Sequence, residues 1–162
     1  SSTNYNAILQ AYLDQINATS GLLYASRNSA QFDKTDVTLT NVTGLTHNVL
    51  AGATYQFEAL LFIDADVTGG SKYAIAGTAT ATTVKYEITL LANATNLLTI
   101  TSRQTALAGS AGQAGTTAGL AKIEGMITVA NAGTLTVQFA QNAVNNTSSV
   151  LTGSFFNIIK VS

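Results

Sequence analysis

The sequence predicts an all-β fold: an antiparallel two-sheet sandwich of jelly-roll type with about eight strands, preceded by a short amphipathic helix and an arm. Three observations predict it. Short stretches alternate apolar and polar side chains with the two-residue period of half-buried strands, at intervals of roughly 8–15 residues. Those stretches are rich in Thr, Val, Ile, Tyr and Phe, which suit a pleated surface. A helical period occurs once, at the N-terminus.

In residues 4–18, Tyr5, Ile8, Leu9, Tyr12, Leu13 and Ile16 recur at i, i+3, i+4, i+7, i+8 and i+11, which is one broad helical face. Asn4 is placed to cap this helix, and Ser20 with Gly21 to end it. Tyr5, Leu9, Tyr12 and Ile16 also trace the 4-3-4 seam of a short coiled coil, too short to hold subunits together alone. The face is too wide and aromatic to be left in water. It packs on its own domain, or it anchors the chain to a neighbouring subunit or a larger surface. Residues 20–36 carry Arg27, Asp33, Lys34 and Asp36 and read as an extended arm with at most one short strand. The expected organisation is therefore 1–36 as anchoring helix and arm, and 37–162 as the jelly-roll domain.

Residues 37–42 alternate Val37 and Leu39 with Thr38 and Thr40, a strand, and 44–53 reads as a connection rich in turn formers. In 54–63, Tyr55, Phe57, Ala59 and Leu61 share one face. Gln56, Glu58, Leu60 and Phe62 share the other, with its polar end wet and its apolar end buried. Residues 64–71 end in Gly69-Gly70, a hairpin-type signal, and 72–76 continue as a strand. The Ala/Thr run 77–83 allows close approach of a neighbouring layer. The cleanest alternation is 84–91, with Val84, Tyr86, Ile88 and Leu90 against Lys85, Glu87 and Thr89. A turn over 93–96 precedes a strand at 97–102. The Gly/Ala-rich stretch 106–119 reads as a long flexible loop, or as tight packing around a symmetry axis. In 120–130, Ile123, Gly125 and Ile127 oppose Lys122, Glu124, Met126 and Thr128.

The C-terminal stretch 133–161 reads as two strands joined by the polar loop 142–149. Leu135, Val137 and Phe139 point one way in the first. The second holds Phe155, Phe156, Ile158, Ile159 and Val161 within seven residues. A strand apolar on both faces is central in its sheet. It has one face in the domain core and the other against a second subunit, so these five residues are the candidate subunit interface.

Hydrophobic residues make up 46% of the 162-residue chain and charged residues 9%, against about 25% charged in soluble domains. Neutral polar groups carry the solubility, which suits a protein largely covered in an assembly. Net charge is −1, and the seven basic residues are scattered, so a nucleic-acid partner is not expected. No run reaches the ~18 apolar residues of a membrane span, and no basic-then-apolar leader opens the chain. Ser1 fits removal of an initiator Met; a domain cut from a longer chain is the alternative. With no Cys, stability must come from packing and oligomerisation.

No catalytic constellation is visible, so an enzyme is not expected, and no cofactor or metal site is assigned. His47 is the only His and reads as a loop residue. Asp64 and Asp66, two apart after a strand, could share a face and bind a cation, but a solvated turn is the simpler reading. The Gly-rich stretch lacks the ending of a phosphate loop, and no nucleophile elbow occurs.

Two ordered stretches carry a resemblance. GTLTVQFAQN followed by SSVLTGSFFNIIKV, and upstream AGATYQFEALLFIDADVTGGSKYAIAGTATATTVKYE, resemble small virion structural proteins of tailed bacteriophages. The arrangement is also loosely similar to the trimeric jelly rolls of the C1q and tumour-necrosis-factor type, with Ser149, Gly153 and Phe155 in comparable places. The resemblance implies a homotrimer on the surface of a virion, in contact with the major capsid protein or other virion proteins. Its role would be a capsid decoration protein. The alternative it implies is a tail or head fibre module presenting loops 64–71, 92–96 and 142–149 to cell-surface glycans.

Overall fold

The structure is a computed structural model that describes residues 2–91, 99–113 and 119–162. One helix, α1 (Ser2–Ala18), precedes β1 (Leu23–Arg27), β2 (Phe32–Lys34), β3 (Thr40–Val49), β4 (Thr54–Asp64), β5 (Ser71–Ala76) and β6 (Thr80–Leu91). Then follow β7 (Thr99–Gln104), β8 (Ser110–Gln113), β9 (Leu120–Asn131), β10 (Gly133–Ala140), β11 (Ser148–Val150) and β12 (Phe155–Lys160). All pairings among the described residues are antiparallel. An eight-stranded sheet runs β1-β12-β4-β9-β6-β7, with β11 joining β4 and β2 joining β11. A four-stranded sheet runs β3-β10-β5-β8. The two make the jelly-roll sandwich that the alternation predicts.

The core is built by the positions that alternate inward. From the larger sheet come Tyr55, Phe57, Ala59 and Leu61, Tyr86 and Ile88, and Ile123 and Ile127. From the smaller come Leu135, Val137 and Phe139, with Tyr73, Ile75 and Leu45. Each large side chain so buried contributes about 1.5–3 kcal/mol. A line of rings crosses this core: His47 to Phe156 at 5.2 Å, Phe156 to Phe57 at 6.2 Å, and Phe57 to Tyr86 at 6.0 Å between centroids. The Tyr86 hydroxyl donates to the Gly109 carbonyl across the sandwich. Burial pushes its phenol up to about 12.

Several local readings are corrected. Residues 44–49 continue a strand. Val42, Leu45 and Val49 all face inward, although their spacing breaks the two-residue period. The register slips here: Thr46 lies opposite Thr136 but Asn41 opposite Gln138. The bulge contains Gly44 at φ +89, where a Cβ would sit 3.1 Å from the Arg27 carbonyl oxygen. The expected arm holds two strands rather than at most one, since β1 pairs with β12 and β2 with β11. Strand pairing thus begins at Leu23, before residue 37. Part of the Gly/Ala-rich stretch forms β8 at the edge beside β5. Gly69 and Gly70 do not close a hairpin, because β4 and β5 lie in different sheets. α1 starts at Ser2, so Asn4 lies within it.

Candidate functional site

The positions that alternate with the core face outward from the eight-stranded sheet, and cross-strand pairing lines them up in rungs. One rung is Leu23, Ile159, Gln56, Met126 and Lys85. The next is Ala25, Asn157, Glu58, Glu124, Glu87 and Arg103. A third is Arg27, Phe155, Leu60, Lys122 and Thr89, and beyond it Phe62 faces Leu120. An apolar cluster of Leu23, Ile159 and Met126 therefore lies on one side of the charged rung, and one of Phe155, Leu60 and Phe62, with Arg27 and Lys122 beside it, on the other. Leu23 is 59% exposed, Met126 48% and Phe62 38%. A shallow depression of about 500 Å³ opens between Leu23, Gln56, Glu58, Met126, Asn157 and Ile159.

In the charged rung Glu58, Glu124 and Glu87 stand side by side on adjacent strands. Like charges directly opposite one another are unfavourable. Cations bracket them: Lys122 lies 2.9 Å from Glu124, and Arg103 is opposite Glu87. The hydrogen bond to Glu124, then its charge, holds the Lys122 ammonium above its ordinary value.

The five residues expected at a subunit interface divide between the two faces of β12. Phe155 and Ile159 point outward and are half-buried, and Val161, just past the strand, is 40% exposed. Phe156 and Ile158 are fully buried in this chain's own core, which corrects the expectation for them. The cause is register: Phe156 pairs with Ala59 and Ile158 with Phe57, both inward positions, and cross-strand partners share a face. Leu60 and Phe62 were expected to be buried at one end of β4, yet Phe62 is exposed on the same outer face. Leu23, Leu60, Phe62 and Met126 escaped the interface assignment. The signal was available in three of them: each is apolar on the polar side of an alternating or exposed stretch.

α1 is the second apolar surface. None of its residues is buried. Tyr5 is 68% exposed, Ile8 70% and Tyr12 61%; Leu9 and Leu13 are exposed too, and Ile16 is half-buried. Packing of this face on its own domain is therefore not what the structure shows. The helix is joined to the sandwich at its C-terminal end. There the Lys160 ammonium of β12 donates to the Asn17 carbonyl, and Gly21 N–H donates to the Lys160 carbonyl. A cation beside the last carbonyls complements the helix dipole. α1 has no basic residue of its own in the last turn.

Of the residues weighed for chemistry, Asp64 ends β4, and His47 and Asp66 have structural partners. His47 lies on β3, not in a loop, and its Nε2 is 2.7 Å from the Phe156 carbonyl. Asp66 builds a turn: Oδ1 accepts from the N–H of Thr68 and Gly69, and Oδ2 from the Asn146 amide. The Gly69 N–H, then Asn146, holds this carboxyl below its ordinary value. Loops 64–71 and 142–149 are thereby laced together, with Asn142 and Ala143 both donating to the Gly69 carbonyl. The third loop considered for ligand presentation, 92–96, lies outside the described residues. Among the described residues no helix is long and apolar enough to cross a membrane.

No family model matches the chain. No curated protein matches it either. Among solved structures it is similar to murine APRIL, with a TM-score of 0.45 and 13% identity over 86% of this chain and 98% of that one. It is similar to Eiger TNF from S. frugiperda, with a TM-score of 0.38 and 12% identity over 89% of this chain and 94% of that one. It is also similar to the tripod from the baseplate of bacteriophage Tuc2009, with a TM-score of 0.37 and 9% identity over 88% of this chain and 64% of that one.

Proposed function

We propose that the protein is a homotrimeric structural component of a bacteriophage particle, a decoration protein on the outside of the head, and that its role is mechanical rather than catalytic. The observation that supports this reading is the outer face of the eight-stranded sheet. Leu23, Ile159 and Met126 on one side of the charged rung, and Phe155, Leu60 and Phe62 on the other, make two partly exposed apolar clusters on a regular sheet. Such a surface marks a contact with another chain. A face that docks on a different part of the next copy closes into a ring when the rotation is threefold. Opposite charges within the middle rung fix the register of the contact more than its strength. The ordered patterns within 50–162 that resemble virion proteins supply the phage context, and the major capsid protein is the partner this implies.

Sedimentation and particle stoichiometry test the two halves. A trimer at micromolar concentration is expected, and a monomer overturns the assembly. Quantitative gels of purified particles should give hundreds of copies of the chain. A few dozen or fewer would overturn head decoration in favour of a tail or fibre part.

A further inference from the structure

We propose that the apolar face of α1 is covered by the α1 helices of sister copies, in a short parallel bundle on the trimer axis. The inference rests on the trimeric reading above and names the occupant of a surface that sequence reasoning left to the chain's own domain, a neighbouring subunit or a larger surface.

The first ground is energetic. α1 spans about 25 Å at 1.5 Å per residue. Its side chains include no buried residue, and it has no acidic residue in its first turn. Most of a protein helix's stability comes from packing its apolar face rather than from propensity. The Lys160 contact secures one end only.

The second ground is where the residues fall. With Leu9 and Ile16 at heptad position a, Tyr5 and Tyr12 take d, Ile8 takes g and Leu13 takes e. Every large apolar side chain of the helix then sits at a, d, e or g. Positions b, c and f hold only small or polar residues, Thr3, Asn4, Ala7, Gln10, Ala11, Asp14, Asn17 and Ala18. The amide of Gln10 donates to Asp14 along that outer side. A stripe widened from a and d into e and g suits a bundle, where each helix meets two others.

The third ground is charge. Asp14 is the only charged residue in α1, and it falls at f, farthest from the seam. Parallel copies therefore meet without like-charge repulsion. Rotational symmetry makes the copies parallel, and the short connection over 19–22 leads each helix to β1, whose Leu23 belongs to the outer rung of the sheet.

Because the chain has no Cys, single cysteines report the register directly. Full-length Leu9→Cys at a and Ala7→Cys at f would be oxidised under native conditions and run on non-reducing gels. Tyr12→Cys at d is a second reporter should Leu9→Cys weaken the helix. Sedimentation of each variant and of the unsubstituted chain runs alongside. The expected result is trimers throughout, with at least about tenfold more disulfide-linked dimer from positions 9 and 12 than from 7, because geometry sets effective concentration. Trimers without that preference overturn the bundle and leave the trimer standing, with the capsid or a sandwich as the occupant. A monomeric unsubstituted chain overturns both.

Discussion

Phe57 on β4 and Tyr86 on β6 bring their rings to 6.0 Å although a whole strand, β9, separates them. The residue of β9 between them is Gly125, paired with both. Its missing side chain is the space the two rings share. A Cβ there would lie 2.4 Å from the Tyr86 Cβ and 2.3 Å from the Lys85 carbonyl oxygen, and backbone cannot step aside as a flexible side chain can.

Gly125→Ala is accordingly expected to destabilise the sandwich by about 1–3 kcal/mol, the usual penalty for overpacking. Denaturant unfolding followed by near-ultraviolet circular dichroism measures it through the Tyr86 environment. An unchanged midpoint would show that the rings do not depend on this gap.

Met126 tests the outer face without touching the core, since its side chain is 48% exposed on the side of β9 away from Phe57. Met126→Arg should leave the far-ultraviolet spectrum intact and weaken the trimer. A central interface residue is worth about 2 kcal/mol, roughly a thirtyfold change in dissociation constant. Sedimentation across a dilution series measures the shift, and an unaltered trimer would remove Met126 from the contact.

Lys160→Met keeps most of the buried stem and deletes the ammonium at the end of α1. The expected cost is about 1 kcal/mol of helix stability, the scale of a partly buried charge at a helix C-terminus. Amide exchange should quicken over 2–18 and stay unchanged in β4 and β9. Uniform acceleration across the protein would mean instead that Lys160 supports the sandwich.

Asp66 predicts an acid-sensitive pair of loops. Its folded carboxyl titrates below the ordinary 3.8 because of the Gly69 N–H and then Asn146. A depressed folded value stabilises fully above the unfolded one, and the stabilisation is lost as pH falls through the folded value. Loops 64–71 and 142–149 should therefore stay laced at neutral pH and loosen as pH drops below about 4. The Gly69 amide resonance reports it. An identical titration in Asp66→Asn would exclude this carboxyl as the cause.

Strands with strict alternation were legible because burial on one side and water on the other writes itself into every second residue. β4, β6 and β9 are of this kind. β3 was misread because the bulge at Gly44 puts Val42, Leu45 and Val49 on one face at uneven spacing. β1 was misread for a different reason: at the sheet edge nearly all of its residues are exposed, so no alternation is imposed. The surplus of apolar residues in β12 was visible. Which of them faced inward was not, because Phe155, Phe156, Ile158 and Ile159 are all apolar and only pairing with Phe57 and Ala59 sets the parity. The rungs themselves could not be seen, since Leu23 and Met126 join Ile159 only through strand order.

The pairing of β1 with β12 places Leu23 and Ile159, from opposite ends of the chain, side by side. During synthesis the early strands wait, with that edge incomplete, until β12 has cleared the ribosome. Domains that depend on such distant pairings fold slowly, and exposed unfinished edges invite aggregation. Until β12 exists the outer face also lacks Phe155 and Ile159, so one late pairing closes the sheet edge and completes both apolar clusters of that face together.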